Sequence, residues 1–142
     1  MNVTNVETAI RIMQGAENLS MASWQDEDPS GGICRSIEEL HTCGNTACFA
    51  GYVAVSPQFT SEPNSGISPG GAPILDKQGR RNFGEGAIRV WLDISHFTAD
   101  ALVHGDYQDN SGYCSFYNKE FSDVTPDDVI TKLKMILEGD LV

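Results

Sequence analysis

The sequence predicts a mainly α fold: a compact single-domain helical bundle of about five helices, with two long loops and room for a short β-hairpin. Three observations lead there. Apolar residues recur at helical spacing in several segments, capping residues stand where those segments begin, and Gly, Pro and Ser gather between them. Residues 1–142 read as one domain, with a long loop over 60–83 and an aromatic-rich loop over 106–121.

The first helix is expected from Thr4, because Thr4 and Glu7 have capping-box spacing. Val6, Ile10 and Met13 then form one apolar stripe. Residues 20–35 carry Trp24, an acidic run, Pro29 and Gly31-Gly32, and read as a loop that the Trp24 ring pins to the core. Ser36 and Glu39 repeat the capping-box spacing and predict a short helix. Asn45 or Thr46 is expected to cap the next helix, whose Ala47, Ala50, Gly51 and Ala54 form a small-residue face. With Cys48, Phe49, Tyr52, Val53 and Val55 it is apolar nearly all round, and so is predicted as the buried central helix.

Ser56-Pro57 ends that helix. Residues 60–83 show little periodicity, although Ile74-Leu75 fits a short strand or a buried plug. Helical pattern resumes at Glu85 with Ile88, Trp91 and Leu92 on one face. Ser95 caps a further helix through Phe97 to Val103, and Gly105 ends it. The last helix has Thr125 as cap, Pro126 in first position and Asp127-Asp128 at the positive end of the dipole.

Composition bounds the function. The 142 residues include 9 basic and 20 acidic ones, a formal charge of -11. Such a chain repels phosphate backbones, so direct nucleic-acid binding is not expected; a basic protein surface would attract it. The acidic groups form short runs (Asp26-Glu27-Asp28, Glu38-Glu39, Asp127-Asp128) rather than one block. No targeting segment or membrane-length apolar run is seen, so a cytoplasmic location is expected, with reduced thiols at Cys34, Cys43, Cys48 and Cys114.

The segment Cys43-Gly44-Asn45-Thr46-Ala47-Cys48-Phe49-Ala50-Gly51-Tyr52 resembles a group of small uncharacterised bacteriophage and bacterial proteins with a C-G-x-x-x-C-x-A-G-[WY] signature. The stretches Trp91 to Ile94 and Val124 to Ile130 are also similar to that group. The resemblance carries no activity. It implies a phage accessory factor acting on a protein in the host cytoplasm.

Two chemical alternatives stand beside a plain interaction protein. Cys34, His41, Cys43 and Cys48 are zinc-ligand types, without the usual C-x-x-C pair; otherwise no cofactor is expected. Cys48, in the first turn of a helix whose dipole lowers a thiol's pKa, is a candidate nucleophile. His96 or His104 would be its base and Asp100 or Asp106 the orienting carboxylate, as in a hydrolase; a redox pair with Cys43 is the other thiol chemistry. The leading expectation is a non-enzymatic acidic factor that binds and inhibits or modulates a host protein, one that itself binds nucleic acid being the natural target. No membrane contact is expected. Its contact residues are expected in the acidic run and the two loops, at Asp26, Glu27, Asp28, Arg80, Arg81, Tyr107 and Tyr113.

Overall fold

Helix α1 (Val3–Gln14) begins one residue before the expected Thr4, because the cap is Asn2 and not Thr4: its side chain accepts the Asn5 N–H at 3.1 Å. The Asn2 N–H donates to the Leu92 carbonyl at 2.8 Å, which fixes the entry of the helix against a later element. The computed structural model describes residues 1–26, 32–43, 45–105 and 111–141, with only the main chain of Cys43.

Helix α2 (Ile37–Cys43) is capped by the Ser36 hydroxyl, which accepts the Glu39 N–H. The Glu39 carboxylate reaches back to the Arg35 N–H, one residue beyond a standard capping box. Helix α3 (Phe49–Val55) is buried along its whole length, as its all-round apolar sequence requires. Each large side chain in it, such as Phe49 or Val53, gains roughly 1.5–3 kcal/mol by leaving water. Ser56 then caps a single turn, α4 (Pro57–Thr60), with Pro57 in first position.

The expectation of a mainly helical bundle with two long loops is corrected here. The fold is mixed, with α-helices and two small antiparallel sheets among the described residues. The span 60–83 holds β1 (Ser65–Ile67), β2 (Pro73–Lys77) and β3 (Arg80–Phe83), paired in that order. Gln78 and Gly79 join β2 to β3 with both φ values positive, at 57° and 72°, which is the geometry of a two-residue hairpin turn. Strand alternation is hidden because β3 and the end of β2 are solvated; only Pro73 and Leu75 of β2 are fully buried.

Helices α5 (Glu85–Leu92) and α6 (His96–His104) follow as expected, with Ser95 capping α6. The described part of the 106–121 span is again not a plain loop. It contains a hairpin of β4 (Tyr113–Cys114) and β5 (Lys119–Glu120), followed by a 3-10 turn, Phe121–Asp123. Tyr117 anchors it by donating to the Leu102 carbonyl at 2.7 Å. Helix α7 (Pro126–Leu137) has a full capping box between Thr125 and Asp128 and packs along α1.

The core gathers α1, α3, α5 and α7 around Trp91, Tyr52, Phe49 and Phe59, with Phe59 meeting Trp91 edge-on at 5.9 Å. Among the described residues no helix is long and apolar enough to cross a membrane.

Candidate functional site

The signature segment acts first as a clamp. Asn45 and Thr46 do not cap α3; Cys48 does, its Sγ accepting the Gly51 N–H at 3.4 Å. Residues 46–48 instead pair with the strand-like segment 18–26. Ala47 N–H donates to Asn18, Ser20 N–H to Ala47, Cys48 N–H to Ser23 and Asp26 N–H to Thr46, all at 2.9–3.1 Å. Backbone donors taken out of water need such partners, so the two segments are held as a unit. Tyr52, at the end of the signature, joins them: its hydroxyl accepts the Asn18 N–H at 2.9 Å and lies 3.2 Å from His41 Nε2. That nitrogen also accepts the Glu17 N–H, so the hydroxyl donates to it and the ring proton sits on Nδ1.

This clamp positions Trp24, half-buried as the sequence suggests. Its ring meets Phe83 edge-on at 6.2 Å and His104 edge-on at 5.5 Å. Gly84 lies against the ring at φ +60°, where a Cβ would come to 2.9 Å from it. Beside Trp24 opens a cleft of about 310 Å³, lined by Met21, Cys48, Gly70, Val103 and His104 among others.

Two residues of the thiol alternative, Cys48 and His104, therefore border one cleft. Their chemistry differs from expectation. Cys48 is 2% exposed, and burial pushes its thiol up from 9.0 to about 11 against the weaker pull of the Gly51 and Ala50 N–H groups. A seven-residue helix does not outweigh that desolvation, so the expected lowering of the pKa is corrected to a rise. His96 sits at the other end of α6, edge-on to Phe97, and is not brought to Cys48. Asp106 lies outside the described residues.

The carboxylates around His104 are Glu85, whose Oε2 is 3.2 Å from Nε2, and Asp100, one turn earlier on α6. Ligand atoms of Glu85, Asp100 and His104 all lie within 4.8 Å of one another. Sequence reasoning named Asp100 as an orienting carboxylate for His96 or His104 but missed Glu85, which only the packing of α5 on α6 brings in.

The zinc-type residues have other partners. Cys34 Sγ accepts from Asn45 at 3.4 Å, His41 binds Tyr52 and Glu17, and Cys48 binds Gly51. The Cys43 side chain lies outside the described ones.

Of the expected contact residues, Asp26 is exposed, and hydrogen bonds from the hydroxyls of Thr46 and Ser23 hold its carboxyl below the usual value. Arg80 and Arg81 are exposed on β3. Tyr113 is half-buried on β4, its hydroxyl donating to Asn118. Glu27, Asp28 and Tyr107 lie outside the described residues. The described members thus come from three segments, with Arg80 and Arg81 together on β3.

No family model matches the chain, nor does any curated protein or solved structure, so its function is read from its own geometry.

Proposed function

We propose that the chain is a non-enzymatic interaction protein that offers an acidic surface to a basic protein partner. In the setting that the phage resemblance implies, the partner is a host protein in the host cytoplasm, of the kind that binds nucleic acid.

One observation carries this reading: no described Asp or Glu is buried, and among the described residues Lys119–Asp128 is the lone bridge from Lys or Arg to a carboxylate. The negative charge of the chain is thus displayed and uncompensated. That arrangement repels itself, and it steers a basic surface into contact. An anchor is at hand. Phe97 is 84% exposed in the first turn of α6, and Phe83 is 52% exposed beside Trp24. Exposed aromatic rings are frequent centres of binding energy.

Affinity capture from a bacterial lysate tests the proposal. The expected result is a stoichiometric partner released by roughly 0.5 M salt and by duplex DNA, and bound more weakly by Phe97→Ser at unchanged fold. Capture of nothing, or of a partner indifferent to salt and to DNA, overturns it.

One observation favours a thiol enzyme instead: Cys48 and His104 border the same cleft. That reading requires Cys48 to react readily with iodoacetamide near neutral pH, and slow labelling of the folded chain eliminates it.

A further inference from the structure

We infer that Glu85, Asp100 and His104 form a binding site for one divalent transition-metal ion, such as zinc or manganese, at the rim of the Trp24 cleft. The inference is independent of the interaction reading.

The site is assembled by two helices. Asp100 and His104 stand four residues apart on α6 and so share one face. Glu85, in the first turn of α5, approaches from the packed neighbour. Two ligand atoms on one tetrahedral ion, each about 2.1 Å from it, lie about 3.4 Å apart. Glu85 Oε2 and His104 Nε2 stand at 3.2 Å, already at that bite. The Asp100 oxygen, within 4.8 Å of both, closes the set by a side-chain rotation.

The donor chemistry selects the ion. One imidazole nitrogen with two carboxylate oxygens suits zinc, manganese or iron(II), whereas calcium and magnesium favour all-oxygen shells. The imidazole is also held in orientation, by the edge-on Trp24 ring 5.5 Å away, as outer residues of metal sites orient their ligands. Three protein ligands leave at least one coordination position for water or another donor. His104 lines the cleft as well as the cluster, so a bound ion would sit at the cleft's edge.

The test is titration of the chelator-treated full chain with zinc chloride and with manganese chloride, by calorimetry and by tryptophan fluorescence. The expected result is one ion per chain, with a fluorescence change that Trp24→Phe removes while calorimetric binding stays. Asp100→Asn, Glu85→Gln and His104→Ala, each checked for unchanged fold by circular dichroism, should each weaken binding by roughly 100-fold. His96→Ala should bind as the parent does. Absence of stoichiometric binding by either ion overturns the inference. So does binding that survives His104→Ala and Asp100→Asn, which would assign the ion to cysteines or to scattered carboxylates.

Discussion

The carbonyl oxygen of Trp24 occupies the space that a side chain on Gly51 would need: a Cβ there would come to 1.8 Å from that oxygen. The glycine of the A-G-Y signature is thus required by the backbone of the clamp segment and not by helix geometry. The approach places α3 directly under the chain that carries the Trp24 cleft.

Gly51→Ala is accordingly expected to cost about 3 kcal/mol or more, since backbone cannot yield as a flexible side chain can. Gly86→Ala is the control. Its added methyl meets only Asn82 Cβ at an ordinary 3.8 Å, inside α5, and should be neutral or stabilise by up to about 1 kcal/mol. Urea midpoints of the two variants should move far apart, and similar midpoints would refute the steric account.

Alkaline pH should unfold the chain through its buried acids. Burial holds the Cys48 thiol near 11 and lifts the Tyr117 hydroxyl well above 10.0. A group raised in the folded state contributes stability that is intact below its unfolded pKa and is lost as pH climbs towards the folded one. Stability should therefore be level up to about pH 9 and fall by roughly 2–3 kcal/mol towards pH 11 from Cys48 alone. Cys48→Ser, whose hydroxyl does not ionise in this range, should flatten part of that decline in a pH series of thermal melts.

Acid acts through Asp128. Burial raises its pKa, but the Lys119 ammonium at 2.8 Å and the Thr125 N–H and hydroxyl together outweigh that and hold the carboxyl below 3.8. A depressed carboxylate stabilises the fold above its unfolded pKa and ceases to do so as pH falls through the folded one. Asp128→Asn should cost about 1 kcal/mol at neutral pH, as loss of a helix cap does, and progressively less below pH 4. A deficit that persists undiminished at pH 2 would assign the effect to packing instead.

Helices with a cap could be read directly from sequence: α6 and α7 begin where Ser95 and Thr125 announce them, while α5 was read from its stripe alone, its cap position being Gly84 with no capping side chain. The sheets were legible only in part: Ile74-Leu75, which fits a short strand or a buried plug, lies in β2, but its partner strands were not legible. Gln78-Gly79 is a turn of the right length, but it lacks the Asn or Asp that usually signals it, and Arg80, Arg81 and Phe83 all face solvent. Neither was the pairing of Ala47 with Leu19 and Gln25, which consists of backbone bonds and leaves no trace in side-chain pattern. For the candidate metal site, only the Asp100 to His104 spacing lies within one element. Glu85 reaches them through tertiary packing, which periodicity does not encode.

The first and last helices of the described chain lean on each other. Helix α1, with Val6, Ile10 and Met13 buried, packs on α3 and α5 and most extensively on α7, whose buried face is Val129, Ile130, Leu133 and Ile136. A chain emerging from the ribosome therefore carries a partly uncovered apolar stripe on α1 until α7 has been made, so closure of the core is a long-range event.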